Sequence, residues 1–297
     1  MSIQLIPDNR FELSFYKNRN IELIRKQYMS SAALEELSST KLIEAMEANM
    51  FEYMTYYAKQ SPEMEIIDED YVLLINSGLK SDTLNYICRA KFSEPSINLR
   101  IGEAINYFKS RNLPFTWWIS PSSQPSSLGA YLEKYKLQCT ERVAGMAADL
   151  RTLPSNYPLP KGLTIKRLTT VSELNLFASV VASVFDPPDP CVQLFYQQTS
   201  DVSLKDDGLI HLYLGYLHGK PVATSALFMG GSVAGIYCVA TIKQARKQGI
   251  GTALTLAAIQ DARNQGYQIA TLEASEDGQN LYARIGFKTY CQFYTYQ

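Results

Sequence analysis

Seven consecutive residues, Arg246-Lys247-Gln248-Gly249-Ile250-Gly251-Thr252, have the types and spacing needed to hold an anionic phosphate. A strand pattern over 233–240 runs into a short turn and then into a helical pattern over 249–265, so R-x-x-G-x-G falls on the first turn of a helix. The first N–H groups of a helix lack an intrahelical acceptor, and the helix dipole makes that end partly positive. Glycine lets another group come close to the backbone. Together these features make a phosphate site, to which Arg246 and Lys247 add charge and Thr252 a hydroxyl. A bare G-x-G also arises by chance about once in 200 residues at average glycine usage, and a plain glycine-flanked helix start accounts for it equally well. The segment is not a Walker loop, because no G-K-[ST] follows. It is not a dinucleotide fingerprint either, because the third glycine and the acidic strand end are missing.

The elements that must position this turn are readable around it. A strand is expected over 163–168, a helix over 171–185 ended by Asp186-Pro187-Pro188, and a short helix over 191–198. Strands over 210–217 and 221–228 flank His218-Gly219-Lys220 as a hairpin. After the strand over 233–240 and the helix stopped at Gly266 come a strand over 269–274, a short helix over 279–285 and a last strand over 288–296. The order βααβββαβαβ predicts a mixed α/β layer architecture, a central mixed sheet flanked by helices.

Earlier in the chain, Ser30-Ser31 can cap a helix. Apolar positions from 33 to 59, among them Leu42, Met46, Met50, Tyr53 and Tyr57, recur at helical spacing, as one helix broken near 38–40 or as two. Then come strands over 71–75 and 84–92, a helix over 97–111, a strand over 115–119, a short helix over 128–135 and one or two strands over 137–150. Three prolines in TLPSNYPLPKG mark residues 152–162 as a linker. They divide the chain into 1–151 and 163–297. From residue 84 the first part runs β-α-β-α-β, the order that ends the second part, which suggests two copies of one fold.

Bulk composition narrows the function classes. With 28 basic and 29 acidic residues the net charge is −1, which gives no support to a nucleic-acid or membrane-surface role. The N-terminus lacks the apolar core of a signal peptide, and no apolar run approaches the roughly 18 residues of a membrane span. The five cysteines are scattered and odd in number, which fits free thiols in a reducing cytoplasm. Two histidines and no Cys/His cluster argue against a metal site.

The stretch around Gly249 resembles the [RQ]-x-x-G-x-[GA] motif of the GNAT superfamily of N-acetyltransferases. Three further features match that family in order: the strand from Gly235 to Thr241 that leads into the turn, the strand end Leu272-Glu-Ala-Ser275, and Asn280 through Gly286-Phe287, similar to N-x-x-x-x-x-G-F. The set spans roughly 163–297. The resemblance implies a GNAT acyl-CoA N-acyltransferase fold in two tandem copies. Its expected function is transfer of an acetyl group from acetyl-CoA, the cosubstrate, to an unidentified primary amine by direct attack in a ternary complex, with no metal. The strands over 233–240 and 269–274 would splay, with pantetheine pairing to the backbone at Cys238 and Val239. The amides from Lys247 to Thr252 would hold the pyrophosphate, and an N–H near Val239 would face the oxyanion. Tyr282 stands where the family often keeps a tyrosine that protonates the leaving sulfur, and a phenol is protonated at neutral pH. Packing is the plainer role for Tyr282 in a chain with 20 tyrosines. Ser275 and Asn280 bond either the cofactor or helix ends. The alternative is a non-catalytic acyl-CoA-binding or regulatory protein, and the oligomer is a monomer or a homodimer.

Two features depart from the family pattern. Relatives often carry a glutamate on the strand matching 233–240, and this strand has no acid. Glu273, Glu276, Asp207 and His211 are the remaining candidates for the base, beside a water chain or attack by the deprotonated amine. The first half lacks R-x-x-G-x-G between its strand over 84–92 and its helix, so as a copy it is degenerate and would not hold CoA. Its expected role is to wall the acceptor site and set specificity. Trp117 and Trp118 point to opposite faces of their strand, one into the core and the other toward a cleft or an interface, or simply into packing.

Overall fold

A computed structural model describes residues 38–155 and 157–297. The Ser30-Ser31 cap lies outside the described residues. Ser38 accepts a hydrogen bond from the Lys41 amide and starts α1 (Ser39–Tyr56), which runs from there as a single unbroken helix. A polar strand β1 (Glu65–Glu69), not expected from its charged EIIDE sequence, pairs with β2 (Val72–Asn76). All five β2 residues are buried, as in a strand covered on both faces. There follow β3 (Tyr86–Cys88), α2 (Ile97–Lys109), β4 (Thr116–Ile119), α3 (Leu128–Lys134) and β5 (Cys139–Asp149). Within the segment over 84–92, only Tyr86–Cys88 is a strand.

Beyond the proline-rich stretch run β6 (Leu163–Arg167), α4 (Val171–Ala182), α5 (Pro190–Gln198), the single turn α6 (Ser200–Ser203), β7 (Ile210–Leu217), β8 (Lys220–Phe228) and β9 (Ala234–Thr241). Then come α7 (Ile250–Asn264), β10 (Ile269–Ala274), α8 (Glu276–Ile285) and β11 (Lys288–Tyr296). Local chemistry sets the boundaries. Thr170 and Glu173 form a capping box at α4. Asp189 caps α5 ahead of Pro190 in the first turn. His218 and Gly219, both at positive φ, make the tight hairpin turn between β7 and β8.

Among the described residues the strands form one mixed sheet in the order β1-β2-β3-β4-β11-β5-β10-β9-β8-β7-β6. Of these strand pairs only β3–β4 and β9–β10 are parallel. The centre shows an exchange. The last strand of the chain, β11, lies between β4 and β5, whereas β5, from the first half, lies between β11 and β10. Each half therefore lends its closing strand to the other, and the β-α-β-α-β echo in the sequence becomes an approximate two-fold relation across the β11–β5 pair.

Three packed layers hold the site elements. On one face Leu254, Ala258 and Ile259 of α7 pack on Ala223, Leu227 and Ile236 of β8 and β9. On another, α4 and α5 supply Phe177, Val192 and Tyr196 to a core that Tyr56 and Tyr57 join. In the first half α2 and α3 bury Phe108, Leu128 and Leu132 against Trp117. Asn49 pins α1 to the second half: its amide donates to Gly230 O at 2.6 Å and Val233 O at 2.9 Å, and its oxygen accepts from Tyr237. Among the described residues no helix is long and apolar enough to cross a membrane.

Candidate functional site

The mouth of α7 is built from an irregular turn. Lys247 (φ 60°) and Gly249 (φ 75°) are both left-handed, a backbone that presents successive N–H groups to an anion. The first intrahelical bond is Ala253 N–H to Gly249 O at 3.0 Å, which leaves the amides of Ile250, Gly251 and Thr252 without an intrahelical acceptor. Ile250 is buried and anchors the turn, while Arg246, Lys247 and Gln248 are exposed around it. Arg246 Nε donates to Thr241 O at 3.0 Å, holding the guanidinium beside the end of β9. A Cβ on Gly251 would come within 3.1 Å of Leu281, so glycine also lets α8 lie close to α7. Tyr157 and Pro160 of the proline-rich stretch border Gly249.

β9 and β10 then part. They pair at Ala234–Ala270 and Gly235–Thr271 only, while the other edge of β10 follows β5 along its whole length. Tyr237 pairs with Ala226 and Ala240 with Thr224, so Cys238 and Val239 stand opposite the single residue Ser225. This is a β-bulge with Cys238 at φ 49°. Thr224 Oγ1 donates to Cys238 O at 2.8 Å, which fixes the bulge. The gap opens into a cavity of about 330 Å³. Cys238, Val239, Glu273, Ser275 and Tyr282 line it from the sheet and α8, and Met50, Tyr53 and Met54 from α1.

Residues 177–287 match the model of the acetyltransferase (GNAT) family. The chain carries a GNAT domain. The fold of almost the whole chain is similar to a GCN5-related N-acetyltransferase from Kribbella flavida, with TM-score 0.63, 15% identity, and 84% of this chain and 94% of that one covered. It is also similar to a GCN5-related N-acetyltransferase from Sphaerobacter thermophilus (TM-score 0.56, 17% identity, 77% and 81% covered). A third similar structure is a tandem GNAT protein from the clavulanic acid biosynthesis pathway (TM-score 0.54, 12% identity, 90% and 96% covered). No curated protein matches the sequence. At these identities the likeness is one of fold, a GNAT fold on one open mixed sheet.

Within the GNAT domain the cavity wall is chemically unusual. Tyr282 is mostly buried, and burial pushes its phenol up to about 12, so it holds its proton at neutral pH. Burial pushes the Glu273 carboxyl up to about 8. Its Oε1 is buried without a hydrogen-bond partner, and so is Nε1 of Trp118, which lines the same cavity. Trp117, the neighbour of Trp118, is fully buried in the first half's core.

Of the residues singled out from sequence, Cys238, Val239, Ser275 and Tyr282 meet at this cavity, while Arg246 to Thr252 form the separate mouth at α7. Asn280 is exposed on α8 and does not line the cavity, and Ser275 precedes α8 without a side-chain capping bond. Tyr53, Tyr86, Trp118, Glu141 and Tyr237 also line it. Tyr53 and Tyr237 stack at 3.9 Å. Nothing local in the sequence marks these aromatics, because a tyrosine in α1 and one in β9 meet only through tertiary packing.

The candidate bases separate cleanly. Glu276 is exposed in the first turn of α8, and exposed Asp207 lies 3.8 Å from Lys205. His211 is buried on β7, with Nδ1 2.6 Å from Asp261 of α7, and Tyr213 donates to the same carboxylate oxygen. Of the four, Glu273 alone faces the cavity. Burial holds the His211 pKa below its ordinary value. The unfolded chain therefore takes up the proton first, and acid favours unfolding. The melting temperature should fall as pH drops below about 6.5, the ordinary histidine value. His211→Asn should remove most of that slope down to about pH 5, above the carboxylate range. An unchanged slope would place the acid sensitivity elsewhere.

Proposed function

We propose that this protein moves an acetyl group from acetyl-CoA to a primary amine by direct attack in a ternary complex. The observation that carries the reading is the splayed β9–β10 gap with the Tyr282 phenol and the Glu273 carboxyl on its wall. The chain's groups fit the cosubstrate. The amides of residues 250–252, with Arg246, Lys247 and Gln248 around them, suit its pyrophosphate. The bulged backbone at Cys238 and Val239 suits its pantetheine arm, with Ser275 beside it. We assign this work to residues 163–297, with 152–162 as a linker and 1–151 as a copy that does not hold CoA. The five free cysteines fit a cytoplasmic setting.

Bound acetyl-CoA would supply a thioester carbonyl carbon and a thiol leaving group. The protein's own contribution is proton handling and position. Glu273 takes a proton from the ammonium form of the acceptor, whose nitrogen then adds to the carbonyl carbon as the C–S bond breaks. Tyr282 donates its phenolic proton to the departing sulfur, its phenolate takes the second proton that the new amide nitrogen sheds, and Glu273 gives its own proton up to solvent. The Val239 N–H lies in the bulge, where it can face the carbonyl oxygen.

Tyr282→Phe tests the assignment. Coenzyme A should still bind, read as heat by titration calorimetry, while amine-dependent thiol release falls by about 10²–10⁴, the usual worth of a general acid. Thiol release absent from the wild-type protein with every amine, with CoA binding intact, would instead identify a non-catalytic acyl-CoA-binding protein. Absence of CoA binding would remove the reading altogether.

A further inference from the structure

A second cavity of about 110 Å³ adjoins the first and shares Tyr53, Met54, Tyr86 and Cys238 with it. Both halves of the chain build it. Ile75 of β2 and Tyr57 after α1 face Val181 of α4 and Val192, Phe195 and Tyr196 of α5. Among the described residues no Asp, Glu, Lys, Arg or His lines it. Each of its hydroxyls already has a neighbouring partner. Those of Tyr53 and Tyr196 lie 3.3 Å and 3.6 Å from Cys238 Sγ. The Tyr57 hydroxyl accepts from Ser203, and Tyr86 donates to Thr83 O. Ser77 Oγ donates to Asn85 and Thr83 Oγ1 to Asp82. The pocket offers an occupant mainly apolar contact and no charged group.

The larger cavity is the opposite in character. The Glu273 carboxyl lines it. Glu141 sits at its exposed mouth, where partial burial raises the carboxyl above its ordinary value. A cation is favoured there, and an apolar group next door. Val239, Ser275 and Tyr282 line only the larger cavity, which puts the cofactor end on the far side of Cys238 from the pocket.

We infer that the acceptor is a primary amine with a single positive charge and an uncharged branched aliphatic substituent. The ammonium group sits between Glu273 and Glu141, and the substituent fills the pocket at Val192 and Phe195. An apolar cavity of roughly 150 Å³ takes a benzene ring, so this pocket of about 110 Å³ suits a smaller group, of about four or five carbons. A polycation would leave charges facing apolar wall, which the site cannot offset. The inference rests on the transfer reaction proposed above.

The test uses the full chain with acetyl-CoA and four amines: isoamylamine, 2-phenylethylamine, methylamine and spermidine. Thiol release should give isoamylamine a kcat/KM at least about tenfold above methylamine and spermidine, the least that a well-filled apolar pocket yields. Val192→Phe, which fills the pocket from a position 2% exposed, should collapse that ratio toward one. If this variant does not melt cooperatively, Val192→Ala serves instead and should move the preference toward the larger amine. Preference for spermidine or methylamine overturns the inference. So does a Val192→Phe penalty that falls on hexanoyl-CoA rather than on the amine, which would make the pocket an acyl-chain site. If no amine releases thiol, calorimetry with isoamylamine on the CoA-loaded protein separates the two readings. Heat that Val192→Phe abolishes keeps the pocket and ends the transferase reading, and no heat with the wild-type protein ends the pocket as well.

Discussion

Glu273→Gln should lower kcat/KM by about 10²–10⁴, the range for loss of a general base. The variant keeps the shape of the side chain and loses only the ability to take a proton. In the wild-type protein, burial puts the Glu273 carboxyl at about 8, and a base works when deprotonated. The kcat/KM profile, corrected for titration of the amine itself, should therefore rise with pH and level off above that value. In the variant the rising limb should vanish. A second readout distinguishes this from damage to the fold. A carboxyl whose folded pKa is raised above its unfolded value contributes stability at low pH that is lost as pH rises through the folded value. Glutamine removes that loss, so the variant should melt no lower than the wild-type protein at pH 8 and above. A wild-type pH profile retained in Glu273→Gln, whatever its rate, would take the base role away from this residue.

Truncation after Phe287 should abolish folding of the entire chain, not only of the part nearest the cut. The removed segment contains β11, which is hydrogen-bonded to β4 on one side and β5 on the other. It carries Phe293, fully buried, and Tyr296, which packs in the first half's core with Leu128 and Leu132. Losing one buried Phe side chain alone costs about 3–5 kcal/mol, against a total stability of roughly 5–15 kcal/mol for a domain. The ladder bonds on both sides of β11 go as well. Circular dichroism melts and size-exclusion chromatography would report the outcome. A truncated protein that melts cooperatively would show that β4 and β5 can close on each other without β11.

The two predictions differ in how far the sequence alone leads to them. The helix mouth at Gly249 is legible because it is local: glycine, charge and helix periodicity lie close together in the chain, and the resulting backbone has the left-handed turns that glycine permits. The hairpin at His218-Gly219 is legible for the same reason. Tyr282 can be placed because it follows a strand and precedes Gly286 at a recognisable distance. Glu273 is one candidate among several, and nothing beside it in Leu272-Glu-Ala marks it out. Its position beside the gap depends on β9 leaving β10 after two residue pairs, a divergence that no local pattern marks. The strand exchange is not legible at all. The repeated β-α-β-α-β order shows two similar units, but the same order is compatible with each unit keeping its own last strand. Which partner a strand takes is decided by side chains far apart in sequence, such as Phe293 against Val143. The charged β1 has no apolar alternation to reveal it, because Glu65, Asp68 and Glu69 lie on an edge strand, where charge is tolerated and guards against pairing with another chain.

The crossed closing strands also bear on how the protein is made. During synthesis β4 and β5 leave the ribosome long before β11, yet β11 must lie between them. The earlier half cannot reach its final sheet while the later half is still being translated, and it must wait with β4 and β5 open or wrongly joined. Pairing across such sequence distances is slow, and exposed strand edges during the wait invite aggregation. Yield in a cell should thus depend on chaperone supply and growth temperature more steeply than the size of the chain alone would suggest.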